Sequence, residues 1–358
     1  MEVAVEVIPL LKSLSEASGV SGYEHQVRDL VTEAFATLAD EVRVDPMGNV
    51  IAVKQGVGTE PRRRVMLAAH MDEIGLIVSM LDQGFLRFTQ VGGFDERTLM
   101  GQEVMVHGRR DLPGIIGSRP PHVLGEGERN KPVPMDELFI DVGLTHSELQ
   151  AAVRVGDLVT IRRPFVELNN GRVCGKAFDD RAAVVSVALC LDALRTLEHE
   201  WDVFAVATVQ EEVGVRGATT SAYGIVPDIG IAIDVGFGKQ PGVSERHSID
   251  LDKGPALCIG PNIHPAMFAE LKRVADAFEI PVQVEVSPRP TGTDARAIQV
   301  TREGIPTALL SIPLRNMHTP IETLAVKDLV RTGRLMAQFI AGLDEAFVDR
   351  LSWEEEGE

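Results

Sequence analysis

A change of period constrains this chain more than any other feature. Near both ends, helical patterns alternate with short, continuously apolar β runs, but from about Ile74 to Arg163 the alternation stops. Residues 7–40 carry two helical patterns, and Ser21 with Glu24 three positions later forms a capping-box pattern that starts the second. "VRVDPMGNVIAVKQ" then gives two β runs around a Pro-Met-Gly-Asn turn, followed by the apolar strand "VMLAA". After residue 164 a long apolar helix (about Arg181 to Leu197) leads to the strands "DVFAVATV" and "GIAID" and a glycine-rich irregular region. The helix "HPAMFAELKRVADAF", the strands "VQVEV" and "TALLSIP", and an amphipathic helix from about Val326 to Leu343 complete the pattern. Apolar strands alternating with helices predict an α/β fold, an αβα sandwich around a mostly parallel, mixed central sheet.

The middle stretch reads differently. "GFLRFTQVGG", "GQEVMVHG", "GIIGSRPPH", "DELFIDVG" and "GDLVTI" are short β runs broken by glycine and proline, with one brief helical period near "THSELQAAV". The pattern predicts a small β-rich domain, PDZ-like or barrel, spanning 74–163 and inserted into a discontinuous α/β domain formed by 1–73 and 164–358. The final "EEEGE" reads as a solvated tail.

Charge narrows the partners. A net charge of −18 opposes nucleic-acid phosphates and anionic lipid heads, and no basic cluster with interleaved aromatics offsets it. No apolar run approaches the ~20 residues of a membrane span. The acidic N-terminus lacks the basic start of a secretory signal, and the three cysteines form no CxxC pair. These features predict a cytoplasmic protein with reduced thiols that binds neither nucleic acid nor membrane.

In α/β sheets, ligand sites gather beyond the carboxyl ends of the strands. The polar residues there are His70, Asp72 and Glu73 after "VMLAA", Glu211 and Glu212 after "FAVATVQ", Asp234 after "IGIAI", and His318 after "TALLSIPLRNM". Asp179 and Asp180 open the long helix. Of the nine histidines, only His70 and His318 stand beyond apolar core strands. Each residue alone has a plain structural use, as a cap, a surface acid or a hydrogen-bonded ring. Together they are a surplus of carboxylates around two imidazoles, which suits a pair of borderline divalent cations and would be costly to bury without one. Asp72, two residues after His70, can accept the ring's other N–H and fix its tautomer.

With these residues in view, "AAHMDEIG", "GKAFDDR", "VQEEVGVRGA", "AIDVGF", "PTGTDA" and "LRNMHTPIE" resemble, in order and over almost the whole chain, the M42 family of metallo-aminopeptidases, which includes the tetrahedral TET peptidases. The inserted region resembles that family's small β domain. The resemblance implies two divalent metal ions per subunit, with zinc first and cobalt or manganese as alternatives. It implies that His70 and Asp234 are terminal ligands of one metal, that Asp179 bridges, and that Glu212 and His318 complete the second. Glu211 would be the general base and Asp72 the residue that orients His70. Spacing alone separates neither Glu211 from Glu212 nor Asp179 from Asp180.

The implied reaction is hydrolysis of the N-terminal residue from peptide substrates, in a homo-oligomer whose dimers build a dodecamer. The stretch 288–297 is a candidate substrate-contacting loop, or else a turn needing positive φ at Gly292. Arg216 and Arg296 either meet an acidic substrate side chain or form surface ion pairs. Competing readings are another metal-dependent amide hydrolase (a carboxypeptidase or deacylase), an endoglucanase, which needs two carboxylates and no metal pair, and a non-catalytic scaffold.

Overall fold

The computed structural model describes residues 5–352 other than 124, 126 and 128–130. The "EEEGE" tail lies outside the described residues. The chain begins with α1 (Val7–Glu16) and α2 (His25–Ala36), and α2 buries Val27, Val31 and Phe35 on one face at intervals of four. The expected capping box is absent: α2 starts after Glu24, whose carboxylate accepts from the Gly22 N–H, while Ser21 turns its hydroxyl toward Asp72.

Strands β1 (Glu41–Val44), β2 (Val50–Lys54) and β3 (Arg64–His70) follow. Next come β4 (Gly75–Asp82), β5 (Phe85–Val91), β6 (Glu103–His107), β7 (Asp111–Gly117) and β8 (Phe139–Asp141). The short helix α3 (His146–Ala152) and β9 (Leu158–Ile161) complete this stretch. These six strands, β4 to β9, close into a barrel in the order β4-β5-β8-β7-β6-β9. Alternate residues point inward, so Leu76, Val78, Leu86, Val104, Val106, Ile116, Ile140 and Val159 form an apolar interior of their own.

The chain then makes β10 (Val166–Leu168), β11 (Arg172–Gly175), α4 (Phe178–Ala193), β12 (Asp202–Thr208), α5 (Arg216–Ile225) and β13 (Ile229–Phe237). It ends with β14 (Ala256–Ile259), α6 (Pro265–Ala277), β15 (Gln283–Val286), α7 (Ala295–Gln299), β16 (Thr307–Leu314), β17 (Glu322–Ala325) and α8 (Val326–Ala341). Among the described residues the main sheet runs β1-β2-β12-β3-β13-β16-β14-β15, and β10, β11 and β17 pair separately. The centre, β12-β3-β13-β16, is parallel throughout. β2 and β14 join the centre antiparallel, which makes the sheet mixed.

Strand period decides what each layer touches. Val65, Leu67 and Ala69 of β3 join the core under α1, α2, α4 and α8, whereas Met66 and Ala68 face α5 and α7 on the other side. The result is the expected three-layer αβα sandwich. α4 is buried on nearly every side, and it packs on α1, α8 and the sheet. Its first turn is irregular, with Asp179 and Asp180 outside helical dihedrals, so regular helix begins at Arg181 as the sequence suggests.

Strand β14 lies inside the stretch read as irregular, and α5, β10, β11 and β17 are also additions. α5, "RGATTSAYGI", is small and polar, and the strands span only three or four residues, too short for a period to register. Among the described residues no helix is long and apolar enough to cross a membrane.

Candidate metal centre

The alternation that turns Met66 and Ala68 toward α5 and α7 turns His70 the same way, at the last residue of β3. On β13 it brings Asp234 to that face two residues beyond Ala232. The start of α4 brings Asp179 and Asp180, and the turn after β12 brings Glu211 and Glu212. His318 stands in the loop after β16 at φ 58. The sheet therefore gathers His70, Asp179, Asp180, Glu211, Glu212, Asp234 and His318, whereas Glu73 turns away to pair with Lys176 and Arg181.

Asp179 sits between the two imidazoles. One carboxylate oxygen lies 3.2 Å from His70 Nε2 and the other 3.3 Å from His318 Nε2. Glu212 Oε1 is 3.6 Å from His318 Nε2, and Glu211 Oε2 is 3.9 Å from His70 Nε2. Among the described residues, two groups have ligand atoms within 4.8 Å of one another: His70, Asp179 and Glu212, and His70, Asp180 and Asp234. Asp180 thus joins Asp234 and His70, a placement the adjacent pair of acids in the sequence leaves open. One of its oxygens accepts from the His70 backbone N–H at 3.2 Å, and the other is buried without a hydrogen-bond partner.

Asp72 does more than orient a ring. The nearest partner of His70 Nδ1 is the Asp72 main-chain carbonyl, at 3.1 Å; the Asp72 carboxylate is at 3.5 Å. A carbonyl only accepts, so Nδ1 carries the proton and Nε2 faces the carboxylates. The Asp72 carboxylate instead accepts from the Ser21 hydroxyl at 2.5 Å and from the backbone N–H groups of Glu211 at 3.0 Å and Glu212 at 3.3 Å. It fixes the turn that presents both glutamates.

Glu322, inside "LRNMHTPIE", has no role in the sequence reading. Its two oxygens accept from the backbone N–H groups of Asp179 and His318, at 3.1 and 3.0 Å. Asp294 accepts from the Thr208 hydroxyl at 2.5 Å, and Thr208 is the register partner of His70. The contacts of Ser21 with Asp72, Asp294 with Thr208 and Glu322 with Asp179 cross chain separations that no local spacing reports.

Electrostatics show the surplus of acid. Burial opposes charge on Asp179, yet the flanking imidazoles hold its carboxyl well below the ordinary range. His318 rises to about 9, chiefly through its contact with Asp179. Burial also disfavours the His70 imidazolium, but Asp179, Asp72 and Glu211 outweigh it and raise the ring well above its usual value. The remaining acids move the other way. Burial, reinforced by neighbouring carboxylates, pushes Glu211 to about 10 and Glu212 to about 7. Burial raises Asp180 and Asp234 as well, with repulsion from Asp234 and Asp179 respectively. The surplus of buried carboxylate over imidazole is what raises these acids. A donor set of imidazole and carboxylates, with a buried oxygen left unpaired, fits a divalent metal.

The cluster opens onto a cleft of about 450 Å³. Thr291, Gly292, Thr293 and Arg296 line it, as the substrate-loop reading of 288–297 expects. The turn reading does not hold, because Gly292 lies outside the left-handed region. Arg216 instead donates to the Gln210 side chain at 3.2 Å.

Residues 48–335 match the M42 glutamyl aminopeptidase family. A lysyl aminopeptidase of Pyrococcus furiosus is 40% identical over 333 residues, covering 91% of this chain and 94% of the relative. A TET aminopeptidase from a marine-sediment Thaumarchaeota archaeon has a similar structure, with a TM-score of 0.92 at 35% identity over 97% of this chain and 99% of that one. The Pyrococcus horikoshii TET1 peptidase, which can assemble into a tetrahedron or a large octahedral shell, gives 0.84 at 32% identity over 94% and 100%.

Proposed function

The chain belongs to the M42 family and is a metal-dependent aminopeptidase, and on that premise we propose how its residues divide the work. His70 and Asp234 hold one divalent cation, Glu212 and His318 hold a second, and Asp179 serves both. The observation that carries this reading is the Asp179 carboxylate, with one oxygen toward each imidazole. Asp180, beside Asp234, is a further donor to the first position. The donors accept zinc first, and cobalt or manganese as well.

Bound cations would supply positive charge that favours loss of a proton from water and polarises a carbonyl oxygen. Glu211 would take a proton from a water molecule as the water oxygen adds to the scissile carbonyl carbon. As the C–N bond breaks, Glu211 returns the proton to the leaving amine. Asp72 holds Glu211 in reach through its backbone N–H and keeps His70 turned with Nε2 inward. The acid-lined cleft favours a free, protonated substrate α-amine, which restricts action to peptide N-termini.

The six-stranded barrel, within 74–163, is the proposed assembly module, joining dimers into a dodecameric shell. The likeness to the P. horikoshii TET1 peptidase supports this, as does the separate apolar interior of the barrel. The proposed compartment is the cytoplasm and the substrates are peptides, with no part for nucleic acid or membrane.

The test is cleavage of free and N-blocked peptides by protein as isolated, after chelation, and after zinc or cobalt is restored. Residue-by-residue release from free N-termini that chelation abolishes, with Glu211→Gln inactive yet metal-loaded, is the expected outcome. Loaded protein that cuts only blocked or acylated substrates would overturn the aminopeptidase assignment.

A further inference from the structure

The cleft extends from the metal cluster past Gly236 to a wall formed by Phe237, Cys258, Glu285 and Ser311. Gly236 lies two residues beyond Asp234 on the same face of β13, about 6.6 Å along the strand. A Cβ at 236 would lie 3.0 Å from both Ser311 Cβ and Ile249 Cδ1, and 3.6 Å from Glu285 Oε2. Glycine therefore keeps open a floor that any side chain would fill, and the Glu285 carboxylate stands over it. Cys258 is the register partner of Glu285, and the two line the same cleft.

Glu285 is half-buried, and among the described residues its carboxylate has neither an ion pair nor a hydrogen bond. An acid without a partner on the wall of a cleft, its Oε2 3.6 Å from where a Cβ at Gly236 would stand, can receive a cation. Resting on the aminopeptidase reading above, we infer that the cleft selects a basic N-terminal residue and that Glu285 is the residue that selects it. The four-carbon stem of a lysine crosses the floor at Gly236, lying along Leu309 and Phe237, and its ammonium meets Glu285. An arginine reaches the same oxygens. A glutamate side chain in that position would bring two carboxylates together, which is a cost rather than a contact.

Arg296 is the opposing charge on the wall. Its side chain is exposed on the short helix α7, so water screens it more than it screens the half-buried Glu285.

The experiment compares kcat/KM for lysyl, arginyl, leucyl and glutamyl peptides with the metal-loaded protein and with its Glu285→Gln and Arg296→Ala variants. The expected result is a wild-type order with lysyl and arginyl above leucyl and glutamyl. Glu285→Gln then lowers the lysyl-to-leucyl ratio by about 10- to 30-fold, between the effects of exposed and buried charge pairs. Arg296→Ala leaves the ratio nearly in place. A wild-type preference for leucyl or glutamyl peptides overturns the inference, and so does a ratio that Glu285→Gln does not move, including a uniform loss on every substrate. Absence of release from all four would instead remove the aminopeptidase reading on which the inference rests.

Discussion

Two clusters of buried charge lie side by side in this protein, and they are built on opposite principles. In the first, Glu73 accepts from Lys176 Nζ at 2.6 Å, from Arg181 Nη2 at 3.2 Å and from the Gly19 N–H at 3.0 Å. Arg181, fully buried, also donates to the main-chain carbonyls of Met71, Leu14 and Ala17. Burial lowers Lys176 to about 8 against the pull of Glu73, so it remains charged at neutral pH. The second cluster begins one residue before Glu73, at Asp72, and two before Arg181, at Asp179. It sets Asp179, Asp180, Glu211, Glu212 and Asp234 against two imidazoles and leaves an Asp180 oxygen unpartnered. The first cluster, in which two cations meet one carboxylate, ties α1, the turn after β3 and the start of α4 together. The unbalanced one is held in place by that frame, and its excess of acid is what the proposed metal ions would offset.

That contrast can be broken or sharpened by experiment. The largest effect is expected from Glu211→Gln, which removes the proposed base and keeps its shape. kcat should fall by roughly 10²- to 10⁴-fold with the metal content, measured on the same sample, unchanged. Lys176→Met should destabilise the fold by about 1–3 kcal/mol in denaturant unfolding, with or without metal, because Glu73 keeps Arg181 but the oxygen that accepts from Lys176 is left buried without that donor. Asp180→Asn should do the reverse. Metal-free stability should shift by under about 1 kcal/mol, since burial already favours the neutral acid, while metal affinity should fall by about 10- to 100-fold in a competition titration. Equal unfolding penalties for Lys176→Met and Asp180→Asn would erase the distinction between the clusters.

The smallest effect is on pH dependence. The raised carboxyls of the metal site bind protons in the folded state at pH values where the unfolded chain has lost them. Glu212, raised from 4.5 to about 7, therefore contributes stability that is present below pH 4.5 and lost as pH rises through 7. Metal takes the place of those protons, so the Tm gap between loaded and chelated protein should widen between pH 5 and 8. A gap that stays constant over that range, followed by calorimetry, would show that these acids do not exchange protons for metal.

Much of the site is legible in the sequence because strand ends and charge are local features. "VMLAAHMDE" announces a buried strand that ends in an imidazole and acids, and the structure puts His70 at that tip. The barrel is legible because short β runs and glycine-rich turns differ from helical periods. The capping box at Ser21 was misleading for an instructive reason. The same hydroxyl that could close a helix end bonds to Asp72, 51 residues away, and a charged acceptor is the stronger partner. Glu322 and Asp294 went unread because the contacts that reveal them, to the Asp179 N–H at the start of α4 and to the Thr208 hydroxyl on β12, join segments far apart in the chain.

The sequence by itself determined the layers, the sign of the charge and the residue types that meet at the strand ends. These depend on side-chain period and composition, which are properties of neighbours along the chain. Only the tertiary structure decided which acid of each adjacent pair stands where. Asp179 lies between the histidines and Asp180 beside Asp234, while Glu73 is neutralised by Lys176 and Arg181. Adjacent side chains diverge from one backbone, and what each becomes is fixed by the charges that other segments bring within a few ångströms of it.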